Sequence, residues 1–254
     1  MHVNFSKTAQ DYARFRRGFP DSFFERLTLY GIGRENQRIL DLGAGAGSMS
    51  RGLARAGCEV SGIDYAQEIL VEARKIDARE GLKVAYTLAN VEHCCFADGS
   101  FDVVAAGQCW HWFDRAKTIK EVKRILVRGG TLLIAYFDWI PLPDSVVEAT
   151  EEIVLAHNPK WDRTGSNGLH PEWLRGAADA GFTELETFSY GVDLDYTHDE
   201  WRGRVRASGG VGGTLPPEKT EDVDRALAAV LTDRFPQEPL TIHHRVFAVV
   251  GKCP

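Results

Sequence analysis

The residues with the clearest chemical purpose are two acids and three glycines at the ends of two apolar segments. Asp41 lies in an apolar run predicted to be a buried strand, and Gly43, Gly45 and Gly47 follow it at alternate positions. Glycine allows a sharp turn and lets backbone amides approach a ligand with no Cβ in the way. A second predicted strand ends at Asp64, where a carboxylate can accept hydrogen bonds from ribose hydroxyls. The pattern predicts a nucleotide site.

The position of Asp41 separates two classes of ligand that share an adenosine. An acid before the first glycine is poorly placed beside the pyrophosphate of NAD, whereas it can meet the ammonium of a methionine tail directly or through water. The Gly-Ala-Gly-Ala-Gly spacing also departs from the Gly-x-Gly-x-x-Gly of dinucleotide folds. These residues favour S-adenosylmethionine as the ligand. An NAD-dependent oxidoreductase stays as the less favoured alternative.

Further segments follow the glycine turn in the order known from one enzyme family. They are Asp64–Leu70, Ala89–Glu92, Phe96–Val104 and Leu126–Ile134, the last with Arg128 in place of a usual proline. Several motifs in order are a strong signal where a single glycine motif would be weak. From about residue 38 to residue 136 the chain resembles the class I S-adenosylmethionine-dependent methyltransferases, of the type 11-like kind.

The resemblance implies a donor, S-adenosyl-L-methionine, and a product, S-adenosyl-L-homocysteine. The N-terminal segment resembles one that many relatives fold over the cofactor, with an aromatic ring near the ligand and an arginine for the methionine carboxylate. The alternative for that segment is a solvated amphipathic helix. The expected cofactor-binding residues are Tyr12, Arg16, Asp41, Gly43, Ala44, Gly45, Gly47, Asp64, Tyr65, Asn90, Val91 and Gln108.

The alternation of apolar patterns predicts an α/β fold built on one sheet. Strands are expected near 38–42, 58–63, 83–88, 101–107, 131–137, 182–190 and 240–250. The family implies a Rossmann-like seven-stranded sheet with the last strand antiparallel, helices on both faces and a small helical cap. We expect a single domain over 1–254, with an N-terminal lid segment at 1–30 and cap insertions at 138–170 and 193–239.

A His-Trp-Phe-Asp run after the fourth strand is expected at the edge of the sheet where ligands bind. It resembles the branch that includes trans-aconitate methyltransferase-like enzymes. His111 is the candidate general base, because the ordinary pKa of histidine lies near neutrality. The alternative is that His111 only lines the wall, because in-line positioning alone can suffice for methyl transfer from a sulfonium. The expected substrate-binding residues are Trp110, His111, Trp112, Trp139, Tyr196 and Arg206.

Arginines before a glycine-rich bend in the last insertion would suit a carboxylate-bearing acceptor. The chain there has Arg202, Arg204 and Arg206 ahead of Gly209–Gly213. The plainer interpretation is an amphipathic cap helix, and we favour it for at least Arg202 and Arg204.

Length, charge and cysteine content set limits on function. The chain has 254 residues, 44% of them apolar, and a formal net charge of −6. That charge disfavours a nucleic acid partner and favours a small-molecule substrate with an O, N, S or C nucleophile. Five cysteines lack zinc spacing, so no metal is expected. With no signal-like segment and no long apolar run, we expect a cytoplasmic protein without membrane contact, a monomer or homodimer. A non-catalytic S-adenosylmethionine-binding module is the remaining alternative.

Overall fold

A computed structural model describes residue 3 and residues 5–254, which form strands and helices in alternation. The strands are β1 (Arg38–Leu42), β2 (Glu59–Asp64), β3 (Ala85–Leu88), β4 (Phe101–Gly107), β5 (Leu126–Trp139), β6 (Thr183–Tyr196) and β7 (Leu240–Lys252). The helices are α1 (Ala9–Phe15), α2 (Asp21–Leu27), α3 (Ser48–Arg55), α4 (Gln67–Glu80), α5 (Arg115–Ile125), α6 (Val146–His157), α7 (Pro171–Asp179), α8 (His198–Arg206) and α9 (Pro217–Arg234). Short 3-10 helices cover Phe5–Thr8, Thr28–Tyr30 and Trp110–Trp112.

The strands form one seven-stranded sheet in the order β3-β2-β1-β4-β5-β7-β6. The first five strands pair in parallel, with Leu42 opposite Ile63 on β2 and Ala106 on β4. Strand β7 runs antiparallel to β5 and β6. The prediction of a Rossmann-like sheet with an antiparallel last strand is therefore confirmed.

Local sequence signals set the starts of the helices. The helix α5 begins after Asp114, whose Oδ1 accepts a hydrogen bond from the Lys117 amide at 3.3 Å, as the sequence predicts. The helix α8 begins with a capping box, in which the side chains of Thr197 and Glu200 each accept from the other's backbone amide. These caps satisfy amides that a helix start would otherwise leave unpaired.

The chain divides into two compact units, each made of three stretches. Unit 1 comprises 1–17, 138–168 and 191–245, and unit 2 comprises 18–137, 169–190 and 246–254. Each unit has its own hydrophobic cluster. In unit 2 it includes Leu40, Val104 and Ile134 on neighbouring strands, and in unit 1 it includes Trp201 and Leu227 on helices. Each unit thus buries apolar side chains in a core of its own.

Two strands extend beyond their predicted bounds because partners distant in sequence pair with them. Strand β5 begins five residues early, since the Gly129 amide donates to Cys253 O at 2.9 Å and the Cys253 amide donates to Gly130 O at 2.8 Å. Strand β6 continues to Tyr196, where Asp195 Oδ1 accepts from Thr241 Oγ1 at 2.9 Å. The predicted fifth strand, 131–137, begins only after Gly129 and Gly130.

None of the helices formed by the described residues has the length and apolar content that a membrane crossing needs.

Candidate functional site

The turn between β1 and α3 is built from glycines in a conformation that other residues rarely adopt. The φ angles of Gly43, Gly45 and Gly47 are 60°, 54° and 81°. A Cβ on Gly47 would also lie 2.1 Å from the Tyr86 hydroxyl. Glycine suits these positions, and the turn leads directly into the first turn of α3, a position that favours polar and anionic ligand groups.

Asp64 ties the end of β2 to this turn. Its Oδ2 accepts from the Gly45 amide and its Oδ1 from the Ala66 amide, both at 2.9 Å. Burial raises the pKa of Asp64, and the two amides oppose that rise. Each carboxylate oxygen has a second lone pair. The carboxylate is therefore rigidly held and retains the capacity to accept from a ligand hydroxyl.

Asp41 lies beneath the turn with 1% of its surface exposed. The Ser50 hydroxyl donates to Asp41 Oδ2 at 2.6 Å. Burial raises the pKa of Asp41 to about 7, and the Ser50 hydrogen bond only partly offsets it. A cation near this carboxylate would favour its charged form. The site therefore suits a positively charged ligand group.

The remaining predicted cofactor residues of unit 2 lie on the loops after the parallel strands. The Ala44 amide donates to Ile63 O at 2.9 Å, and Asn90 Oδ1 accepts from the Glu92 amide at 2.8 Å. Tyr65 is 58% exposed, whereas Val91 is buried. Gln108 adopts a left-handed φ of 63° directly after β4. Such a conformation is uncommon in a non-glycine residue and occurs at tight turns.

The aromatic segment after β4 forms a 3-10 helix with one buried and two partly exposed rings. Trp110 is buried and packs edge-on against Phe113 at 6.1 Å between ring centroids. The His111 ring lies 4.5 Å from the Trp112 ring and 5.3 Å from that of Tyr136. His111 is thus positioned by two aromatic neighbours of the same unit.

The other predicted site residues lie in unit 1. The Arg16 guanidinium is 4.7 Å from the centre of the Tyr12 ring. Trp139 Nε1 donates to Glu151 Oε1 at 3.0 Å. Tyr196 is almost fully buried against Trp201, with ring centroids 5.4 Å apart. The predicted residues therefore divide into two groups, one in each unit.

Arg206 has carboxylate partners in the ligand-free protein. Its Nε donates to Asp11 at 3.0 Å and a terminal nitrogen to Asp224 at 2.6 Å. Arg202 also pairs with Asp224. These two arginines connect α8 to α1 and α9, which gives both of them a structural role.

Two further charged residues of unit 1 are Arg204, for which the sequence interpretation favoured an amphipathic cap helix, and Asp138, which it did not propose for the site. Arg204 is 7% exposed, and its guanidinium lies 4.5 Å from the centre of the Trp139 ring. Helical spacing was the available signal, because Arg204 follows the buried Trp201 by three positions and so shares its face. Asp138 near the end of β5 has its pKa raised to about 6 by burial, opposed by Ser166 and Arg204.

Among residue 3 and residues 5–254, no cluster of His, Cys, Asp and Glu side chains has the grouping needed to hold a metal ion.

Comparisons with known proteins agree with this arrangement. Residues 40–134 match the model of the methyltransferase domain family. An uncharacterized methyltransferase of Mycobacterium tuberculosis is 34% identical over 132 residues, which are 52% of this chain and 51% of that protein. The chain thus matches about half the length of this relative.

Two further proteins resemble a larger share of the chain. A ubiquinone biosynthesis O-methyltransferase of Xanthomonas euvesicatoria is 29% identical over 189 residues, covering 72% of this chain and 73% of that protein. The crystal structure of the YcgJ protein from Bacillus subtilis shares the fold, with a TM-score of 0.57, 20% identity and coverage of 91% and 98% of the two chains.

The parallel sheet, the glycine turn and the acid after β2 define a Rossmann-like domain with a nucleotide-type site. Residues 40–134, which match the methyltransferase domain family, contain both the glycine turn and the acid at the end of β2.

Proposed function

We propose that the protein transfers a methyl group from S-adenosylmethionine to an O, N, S or C nucleophile of a small molecule. One observation carries this proposal. The Gly45 amide donates to the Asp64 carboxylate, which joins the glycine turn to the end of β2 inside the segment that matches the methyltransferase domain. The net charge of −6 favours a small acceptor over a nucleic acid.

The residues of the turn fit the donor on chemical grounds. Asp64 would hold the ribose hydroxyls, and buried Asp41 would favour the ammonium of the methionine tail, directly or through water. When bound, the donor supplies an electrophilic methyl group on a sulfonium. The remaining proposed contacts are Gly43, Ala44, Gly47, Tyr65, Asn90, Val91 and Gln108 in unit 2, and Tyr12 and Arg16 in unit 1.

As contacts of the acceptor we propose Trp110 and Trp112 in unit 2, and Trp139, Tyr196 and Arg206 in unit 1. The proposal leaves two alternative roles for His111, and experiment must distinguish them. As a general base it would take the proton of an acceptor that is protonated at the start. As part of the wall it would only orient the acceptor for in-line attack.

A binding comparison tests the donor first. We expect S-adenosylhomocysteine to raise the melting temperature and to give a saturable isotherm in calorimetry, and NAD to do neither. Stabilisation by NAD alone would replace the proposal with an oxidoreductase.

Incubation with methyl-labelled S-adenosylmethionine and a whole metabolite extract then tests the transfer. We expect a labelled small molecule that depends on the folded protein. Donor binding without any labelled product would identify a non-catalytic binding module.

A further inference from the structure

A buried ion pair joins α3 to α4 beside the glycine turn. Arg51 Nη1 donates to Asp77 Oδ1 at 3.1 Å, and the two residues are 9% and 4% exposed. Taking both charges out of water costs about as much as their attraction returns, so well-packed apolar side chains often serve stability as well. Stability alone therefore explains this pair poorly.

The same guanidinium nitrogen also holds the turn. Arg51 Nη1 donates to Ala46 O at 2.6 Å, and the Arg51 amide donates to Gly47 O at 2.8 Å. Residues 46 and 47 are the last two of the turn, because α3 begins at Ser48. Both of their carbonyl groups are therefore bonded to Arg51, whose guanidinium is in turn held by Asp77.

Tyr86 on β3 closes the space beside Gly47. A Cβ on Gly47 would lie 2.1 Å from the Tyr86 hydroxyl and 2.8 Å from Arg51 Nη1. Burial, and after it the Asp77 charge, raises the pKa of Tyr86, so the hydroxyl stays neutral. Arg51, Asp77 and Tyr86 thus form one buried cluster against which Gly47 packs.

Arg51 also acts on the acid that is proposed to face the methionine tail. Burial raises the pKa of Asp41 to about 7, and Arg51, after Ser50, opposes that rise. The guanidinium therefore interacts with two buried acids, Asp41 and Asp77. Asp77 is the one bonded to it directly, so removing the charge of Asp77 would leave Arg51 without that counterion.

We propose that Arg51 and Asp77 are positioning residues for the donor. Their buried ion pair holds the end of the glycine turn, at Ala46 and Gly47, in the conformation that binds S-adenosylmethionine. For the identity of the ligand this rests on the function proposed above, whereas the restraint on the turn is independent of methyl transfer. Neither side chain touches the reacting atoms, so the pair sets donor affinity and leaves the chemical step unchanged.

The chain offers a matched control in a second ion pair between the same two helices. Arg55 and Glu80 lie about one helical turn farther along α3 and α4 than Arg51 and Asp77 do. Their side chains are 55% and 36% exposed, and exposed pairs of this kind contribute little. Glu80→Gln therefore removes a link between the same helices at a greater sequence distance from the turn.

Calorimetry with S-adenosylhomocysteine measures the effect on the ligand site. Asp77→Asn should raise the dissociation constant about tenfold, because the guanidinium that fixes Ala46 loses its counterion. Glu80→Gln should leave it within about threefold of the wild-type value. The double variant Arg51→Met with Asp77→Leu removes both charges together, so it should fold as stably as the wild type and still bind about tenfold more weakly. Wild-type affinity in Asp77→Asn, or in the folded double variant, overturns the inference.

Initial rates of label transfer separate positioning from a loss of folded protein. With a fixed metabolite extract as the source of acceptor, the donor concentration that gives half the maximal rate should rise about tenfold in Asp77→Asn. The rate at saturating donor should stay within about threefold of the wild type. A lower saturated rate with an unchanged half-maximal donor concentration overturns the inference, since a smaller folded fraction would produce it.

Hydrogen exchange of the ligand-free protein tests the restraint without any donor. The Gly47 amide donates to Ala44 O at 2.9 Å, so its exchange reports on the turn. Exchange over residues 43–51 should be about tenfold faster in Asp77→Asn than in Glu80→Gln, with the amides of α5 unchanged in both. Equal exchange over 43–51 in the two variants overturns the restraint. If the wild-type protein binds no S-adenosylhomocysteine while this contrast is present, the proposed function is overturned and the restraint on the turn is upheld.

Discussion

The two units treat buried charge in opposite ways. In unit 2 the Asp64 carboxylate accepts from two backbone amides and Asp41 accepts from Ser50. In unit 1 the Arg204 guanidinium lies 4.5 Å from the centre of the Trp139 ring, and the Asp138 carboxylate partly opposes the lowering of its pKa by burial. Unit 2 thus holds these two buried acids by hydrogen bonds, and unit 1 holds a buried guanidinium against an aromatic ring.

The difference is informative about specificity. A site whose polar groups are bonded to the backbone is preorganised, and its geometry follows from the fold. We therefore expect donor recognition to depend on the hydrogen-bonded acids of unit 2.

The largest expected effect is on the pH dependence of stability through Asp41. Its folded pKa of about 7 lies above the unfolded value, so the stability it contributes is present below about pH 4 and is lost as pH rises through 7. The difference in unfolding free energy between the wild-type protein and Asp41→Asn should change by on the order of 4 kcal/mol over this range. Urea unfolding at a series of pH values measures it.

Asp102 provides a control, because its contribution to stability changes with pH in the opposite direction. Arg38 lowers the pKa of that carboxyl, so the stability from Asp102 is present above its unfolded pKa and is lost on acidification. Parallel pH curves for the wild-type protein and Asp41→Asn would contradict the raised pKa and weaken the contrast between the units.

The next effect concerns donor affinity. Asp64→Ala removes the proposed ribose acceptor and leaves the Gly45 and Ala66 amides without their partner. The dissociation constant of S-adenosylhomocysteine should rise about 100-fold, for a loss of roughly 3 kcal/mol. Calorimetry measures this dissociation constant. Asp98→Ala, at an exposed ion pair with Arg124, should leave it unchanged, and unchanged binding in Asp64→Ala would refute the assignment.

A pair of substitutions on α8 compares two arginines directly. Arg206→Met leaves Asp11 and Asp224 without this partner and should destabilise the ligand-free protein by about 2 kcal/mol. Arg204→Met removes a buried charge and should be neutral or stabilising by about 1 kcal/mol. Chemical unfolding without ligand measures the change in unfolding free energy of both variants. A larger loss in Arg204→Met would mean that the protein stabilises the guanidinium after all.

The smallest effect is expected at His111. If its ring only lines the wall beside Trp112 and Tyr136, His111→Ala should lower kcat less than about tenfold and leave the shape of the pH–rate profile intact. A fall in kcat of about 100-fold or more, together with disappearance of the acidic limb of the pH–rate profile, would instead identify a general base. The measurement requires saturating donor and acceptor.

The sheet was predictable from sequence because its signals are local. Strand β4 has the predicted bounds of 101–107, and the Asp114 cap of α5 is where the sequence indicates it. The early start of β5 was not predictable, because Gly129 and Gly130 pair with Cys253 from the other end of the chain. Sequence periodicity contains no information about partners so far apart.

The candidate site was predictable to different degrees in the two units. The glycines and Asp64 form a spaced motif, and the structure joins them by a hydrogen bond from Gly45. On α8 the sequence shows three arginines at alternate positions; helical spacing places Arg204 on the face of Trp201, but no local signal tells which of the arginines pairs with an acid. That depends on where Asp11 and Asp224 lie, which only the tertiary structure reveals.

The division of unit 1 into 1–17, 138–168 and 191–245 has a consequence for exchanging substrate preference between relatives. No single cut of the gene removes this unit, so a chimera must replace three separate stretches together. Arg206 and Asp11 come from different stretches, and a graft of only one would separate a charge from its counterion. Change in acceptor choice should therefore proceed by point substitution more readily than by recombination.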